Sequence, residues 1–217
     1  HMIKNEFIKR FFSSAILIPI TLFIIIEGSF LFTFFILISL IIATYEWFQM
    51  SKSDIQKILG LFFLTFSFYT IFKIRNDFNN DYFHILFVAI VCVSTDVGGY
   101  IFGKLFKGPK LTKLSPNKTY TGVIGSFLIP IIITYLFFEL SLNIHNFEFT
   151  KKTLVFVLII SLVSQIGDII ISFFKRLSKI KDTGNIIPGH GGILDRIDGM
   201  IFAYPFSYLV FLNWNFQ

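Results

Sequence analysis

The sequence predicts an all-α fold: a polytopic integral membrane helical bundle of about seven transmembrane helices, with its N-terminus on the cytoplasmic side. Three observations predict it. Apolar residues make up 54% of the 217-residue chain and charged residues only 15%, with a mean hydropathy of +0.74. A water-soluble domain carries roughly a quarter of its residues as charges, so this chain has too little polar surface to cover a soluble body. Runs of about 20 apolar residues, the length that crosses the hydrocarbon core as a helix, recur along the chain. Lysine and arginine are concentrated in alternate connecting segments, as membrane topology demands.

The first run, 11–27, follows Arg10 and contains Pro19 and Thr21. Its charged lead-in imitates a signal peptide, but no small-residue cleavage site follows, so it is read as a retained span; His1 ahead of Met2 reads as a cloning remnant. The second run, 29–47, is joined to the first only by Glu27-Gly28-Ser29, a tight hairpin at one membrane face. It ends at Glu46-Trp47, where the tryptophan reads as an interface anchor and the glutamate is placed either at the interface or in a site. Further runs follow at 58–74, 82–103, 120–140, 153–173 and 197–214. No repeat or linker divides them, so residues 1–217 are expected to form one integral membrane domain. Its N-terminal helices occupy about 1–85 and its chemistry about 86–217. The lone Cys92 has no intramolecular partner and reads as a packing residue.

With the N-terminus inside, one membrane face receives Lys4, Lys9, Arg10, Lys52, Lys57, Lys104, Lys107, Lys110, Lys113, Lys118, Lys175, Arg176, Lys179, Lys181 and Arg196. The other receives Lys73, Arg75, Lys151 and Lys152. This fifteen-to-four split predicts a cytoplasmic face for the basic loops. It accounts for the sign of those loops but not for the acids among them.

Ionisable groups within membrane spans are costly and read as functional. Asp96 lies in VCVSTDVGGY and Asp168 in SQIGDIIISFFKR. On a helix, Asp168, Ser172 and Lys175 stack on one face, with Arg176 adjacent. Asp195 and Asp198 also share a face, and two carboxylates so close repel unless a cation sits between or beside them. Together these acids, from three spans and ringed by lysines, suit a magnesium ion, which takes one or two carboxylates plus substrate phosphates. Gly189, Gly191 and Gly192 can present backbone N–H groups to phosphate oxygens, and His190 among them is placed to donate to phosphate or move a proton. The basic stretch GKLFKGPKLTKLSPNKTYTG, 103–122, adds Lys118 and other polar groups, while the Gly99/Gly103 spacing predicts close helix packing.

The densest polar stretch, 172–198, reads SFFKRLSKIKDTGNIIPGHGGILDRID. Its Ser172-x-x-Lys175-Arg176, Lys181-Asp182, Pro188-x-His190-Gly191-Gly192 and Asp195-Arg196-x-Asp198 resemble the signature of the phosphatidate cytidylyltransferases, the CDP-diacylglycerol synthases. Upstream, Asp96-Val97-Gly98-Gly99-Tyr100, Phe102-Gly103 and Ser115-Pro116-Asn117-Lys118-Thr119 look like two further segments of that family. Val97 departs from it, standing where a small hydroxyl residue is usual. The resemblance covers the chain from about residue 90 onward.

The resemblance implies a CTP-dependent nucleotidyltransferase that joins CTP to phosphatidic acid, giving CDP-diacylglycerol and pyrophosphate in phospholipid biosynthesis. The residues by themselves point only to a metal–polyphosphate site at a membrane surface. Under the resemblance, Asp168, Asp195 and Asp198 are expected metal ligands with Ser172 as a neutral oxygen ligand, for Mg2+ and a second cation in a two-metal site. Lys175, Arg176, Lys181 and Arg196 are expected on the triphosphate or lipid phosphate, Arg for bidentate contact and Lys as a point charge. Asp96, Lys118, Gly191 and Gly192 are expected substrate contacts, and His190 a catalytic one. The expected setting is the inner (cytoplasmic) membrane, multi-pass, with the site facing the cytoplasm, the lipid bilayer as partner and no nucleic acid. A homodimer is common in the family and small-residue helix faces permit one. The rivals are a CDP-isoprenoid lipid synthase or polyprenol kinase, and a cation transporter; a transporter places its ionisable groups near the bilayer midplane, whereas these cluster at helix ends.

Overall fold

The computed structural model describes residues 2–78, 82–110, 118–145, 148–186 and 191–213. Helix dominates them, and a helix covers each segment expected to span the membrane: α1 (Met2–Glu27), α2 (Ser29–Met50), α3 (Asp54–Asp77), α4 (Phe83–Phe106), α5 (Tyr120–His145), α6 (Lys151–Leu177), the four-residue α7 (Leu194–Ile197) and α8 (Met200–Asn213). Helices α2 to α6 are each long and apolar enough to cross a membrane, whereas Ala15–Glu27 and α8 are shorter apolar segments. The last expected span does not start as one helix: α7 ends at Ile197 and α8 begins at Met200. Large apolar side chains such as Phe30, Ile41, Phe62 and Leu105 are exposed, as lipid-facing surfaces require. The chain belongs structurally to the all-α polytopic membrane class.

Two compact units divide the chain. The first is His1–Tyr82 with Phe174–Asp198, the second Phe83–Phe173 with Gly199–Gln217; the division falls within α6.

In the first unit, Gly28 turns α1 into α2 at φ 69°, a left-handed conformation that glycine adopts without steric cost. The hairpin is closed by Arg75 of α3, which is buried. Its Nε donates to the Ile25 carbonyl at 3.0 Å and its Nη2 to that of Ile26 at 3.2 Å. Carbonyls in the last turn of a helix lack intrahelical partners, and a cation there also meets the negative end of the helix dipole. Arg75 is therefore an internal cap, which corrects its reading as a loop charge. Between α2 and α3, Ser53 and Gln56 form a capping box. Trp47 is buried within the protein: its Nε1 donates to the Gln56 carbonyl at 2.9 Å and its ring meets Phe174 edge-on, centroids 5.0 Å apart. Gly60 permits this, since a Cβ there would fall 1.8 Å from Trp47 Nε1.

In the second unit, α4 and α5 run antiparallel through a glycine seam. A Cβ on Gly98 would lie 2.3 Å from the Gly125 carbonyl oxygen, and one on Gly125 2.4 Å from that of Gly98. Gly99 meets Ser126, and Gly103 meets Thr119 and Gly122, so the predicted Gly99/Gly103 packing is present and extends to Gly98. Membrane helices associate by this close backbone approach because lipid offers no hydrophobic drive between them. Thr95 Oγ1 bonds to Ser161 Oγ of α6 at 3.0 Å. Nearer the start of α4, Phe83, Phe87, Phe138, Phe156 and Phe211 interlock.

Candidate active site

In the first unit the signature segment begins at the end of α6. Lys179 adopts φ 58°. Its N–H donates to the Arg176 carbonyl, and the Ile180 N–H donates to that of Lys175, both at 3.0 Å. This pair of bonds is a Schellman cap, here with lysine in the left-handed position. Ser178 Oγ donates to the Met50 carbonyl, tying the cap to the end of α2.

Beyond the cap, Thr183 and residues 191–198 gather beside Lys175. The Lys175 Nζ lies 3.0 Å from Asp195 Oδ1 and 3.7 Å from Asp198 Oδ2. The cation that the two acids require is thus supplied by the chain itself. Asp195 Oδ2 also accepts the Thr183 N–H at 2.8 Å and the Gly192 N–H at 3.0 Å. The Gly192 N–H, expected on a phosphate, is directed at this carboxylate. Gly191 has φ 87°, and a Cβ on it would stand 2.7 Å from Asp195 Oδ2, so both conformation and space require glycine. Arg176 is exposed, its Nη1 donating to the Ile180 carbonyl at 3.2 Å. Lys181 and Arg196 are exposed as well. His190 lies outside the described residues.

One site-building residue has no counterpart in the signature. Glu46 of α2, buried, accepts the Thr183 hydroxyl and the Leu194 N–H on Oε2, at 2.9 and 2.8 Å, and the Ile193 N–H on Oε1 at 2.9 Å. The sequence left Glu46 between interface and site. The available signal was an acid near the end of an apolar span.

The second unit holds the other expected site residues. A cavity of about 290 Å³ is lined by Asp96, Lys118, Gln165 and Asp168 together with Thr95 and Ser126. Lys118 Nζ stands 2.5 Å from Asp168 Oδ2, and Ser172 Oγ donates to Asp168 Oδ1 at 3.2 Å, one turn along α6. The helical stack expected for Asp168 and Ser172 is present. Among the described residues no three His, Cys, Asp or Glu side chains are grouped to hold a metal ion. Two carboxylates on one cavity and a hydroxyl beside one of them are nevertheless hard oxygen donors of the kind Mg2+ takes while keeping waters and phosphate oxygens for its other positions. Asp195 offers less, because both of its oxygens are engaged.

The chain as a whole is similar to known proteins. The cytidylyltransferase family profile matches residues 57–214. A phosphatidate cytidylyltransferase of Rickettsia conorii is 33% identical over 215 residues, covering 95% of this chain and 92% of its own. The protein of that name in Rickettsia bellii is 33% identical over 212 residues, covering 95% and 91%. That of Staphylococcus haemolyticus is 40% identical over 135 residues, covering 60% and 49%.

Proposed function

The chain belongs to the cytidylyltransferase family, and from that membership we propose that it transfers the cytidylyl group of CTP to phosphatidic acid, forming CDP-diacylglycerol and pyrophosphate. A phosphate oxygen of the lipid attacks the α-phosphorus of CTP. The new phosphorus–oxygen bond forms as the bond to the bridging oxygen of the β-phosphate breaks, and pyrophosphate leaves. The nucleophile is already an anion, so no strong general base is needed. The barrier is the approach of two anions, which positioning and charge neutralisation lower.

The observation that carries this reading is the Lys175 ammonium held between Asp195 and Asp198 in the signature segment. The ammonium offsets the repulsion of the two acids and fixes their positions, so the signature segment is organised before substrate arrives and need not rearrange as charge develops in the transition state. In the first unit, exposed Arg176, Lys181 and Arg196 are assigned to phosphate oxygens. In the second, Lys118 and Asp96 are assigned to substrate at the cavity. Asp168 with Ser172, and Asp198 with Asp195, are the proposed ligands of Mg2+ and a second cation. Bound there, such cations supply further neutralisation of the triphosphate and its leaving group.

The proposed setting is the inner membrane with the site facing the cytoplasm, supported by the fifteen-to-four distribution of basic residues. A homodimer belongs to the same reading.

The test is purified protein in detergent with phosphatidic acid, Mg2+ and CTP labelled at either the α- or the γ-phosphate. Label from the α-position enters the lipid phase and label from the γ-position leaves as pyrophosphate. Lipid labelled from the γ-position identifies a lipid kinase instead, and no labelled lipid from folded protein rejects the transfer.

A further inference from the structure

We propose that Glu46 is the positioning residue of the signature segment: from α2, ahead of the family-matched region, its carboxylate sets where Asp195 stands relative to Lys175. The inference rests on the reading above, in which Lys175 and Asp195 serve the transfer.

Three observations converge on it. Glu46 is 1% exposed, and a carboxylate so deeply buried is costly unless its oxygens are satisfied. The Glu46 partners all lie in the signature segment: the Thr183 hydroxyl and the backbone N–H groups of Ile193 and Leu194. Those two N–H groups stand at the start of α7, where no helical carbonyl is available to them.

Thr183 is then held twice, its hydroxyl by Glu46 and its N–H by Asp195 Oδ2. Asp195 directly follows Leu194 and also takes the Gly192 N–H. Glu46 and Asp195 thus grip the same two stretches of backbone from opposite partners, and shifting one shifts the other.

The glycines fit around this carboxylate. A Cβ on Gly192 would stand 2.4 Å from Glu46 Oε2, and one on Gly184 2.9 Å from Oε1. Gly192 is accordingly a glycine because Glu46 and the Thr183 hydroxyl fill the space beside it. Among the described residues Glu46 meets a hydroxyl and two backbone N–H groups and no cation, unlike Asp195, which separates its role from a metal ligand's or a phosphate counter-charge. Glutamine in its place has one acceptor oxygen for three donors, and its own amide N–H group faces a donor.

The test uses the full chain in detergent, comparing Glu46→Gln and Thr183→Val with the unmodified protein. It reads kcat, KM for CTP and for phosphatidic acid, and hydrogen exchange at residues 191–196. Glu46→Gln is expected to lower kcat about 100-fold, the scale of an ångström's misplacement, with both KM values within about threefold. Exchange at Ile193 and Leu194 accelerates while that of α3 stays unchanged. Thr183→Val, which keeps the two backbone bonds to Glu46, is expected to lower kcat about tenfold in the same pattern. A folded Glu46→Gln with kcat within about twofold of normal, a loss confined to KM, or unchanged exchange at 193–194 overturns the inference. If Glu46→Gln does not fold, Thr183→Val decides by the same readouts, and normal turnover overturns it. An unmodified protein that folds but transfers no cytidylyl group rejects the functional reading alone; the exchange measurement still decides whether Glu46 positions the segment.

Discussion

Lys175 and Asp195 form an ion pair almost closed to water: Nζ lies 3.0 Å from Oδ1, with the two side chains 10% and 6% exposed. The lysine sits in the last turn of α6, where the helix dipole favours a cation, and the aspartate in the first turn of α7. Removing one member of such a pair leaves the other charge buried and uncompensated, which costs about 3–5 kcal/mol. Lys175→Met is therefore expected to lower thermal stability in detergent by that order and to abolish turnover. Lys175→Met combined with Asp195→Asn is expected to regain part of the stability and none of the activity. A double variant no more stable than the single one contradicts the pairing.

Chelation of divalent cations is expected to stop turnover, and added Mg2+ to restore it. Asp168→Asn keeps the shape of the side chain but removes the charge beside Lys118 and Ser172. The concentration of Mg2+ giving half-maximal rate then rises about tenfold. Lys118 and Asp168 are each only 25% exposed, so Lys118→Met leaves a partly buried carboxylate without its cation and is expected to cost about 1–3 kcal/mol of stability while lowering kcat/KM. Full turnover in chelator removes magnesium from the mechanism.

The glycine seam of the second unit has no room for a methyl group. Gly98→Ala or Gly125→Ala drives a Cβ against a backbone carbonyl at 2.3 or 2.4 Å, and the helices must separate. The expected loss is about 1–3 kcal/mol, the scale of overpacking. Ile132→Ala, at a position 54% exposed, serves as the lipid-facing comparison and changes stability little. Equal thermal shifts in the two variants argue against the seam.

Arg75→Gln withdraws the guanidinium from the Ile25 and Ile26 carbonyls. Two acceptors lose a charged donor, and the expected cost is about 1–3 kcal/mol with KM unchanged. Lys151→Gln and Lys152→Gln, both at exposed positions, are expected to leave stability and turnover near normal. A large loss of turnover at Lys151 or Lys152 overturns the assignment of those lysines to the face opposite the site.

Much of the fold was legible because lipid imposes a length. A helix occupies each apolar run read from the sequence except the last, which is interrupted between α7 and α8; the hairpin at Gly28 is present, and the acids and bases of 172–198 stand out by composition alone. The stack of Asp168 and Ser172 follows from helical spacing alone. Two side chains have partners that the sequence does not show, for one reason. Trp47 at the end of a span reads as an interface anchor, and Arg75 beyond an apolar core reads as a loop charge, because composition reports average environments. A hydrogen bond to one carbonyl, Gln56 for Trp47 and Ile25 for Arg75, leaves no trace in either pattern.

Hydropathy and helical periodicity are local properties of the chain, and they suffice for the membrane bundle, the order of its helices and the segment where the charges gather. Which charge meets which is settled by the packing of distant segments. Lys175 pairs with both Asp195 and Asp198, the Gly192 N–H turns to Asp195, and Glu46 reaches across 148 residues to Leu194. The physical reason is that a buried charge chooses its partner by proximity in the packed state, where low dielectric makes each bond strong and each vacancy costly, and sequence separation carries no record of that choice.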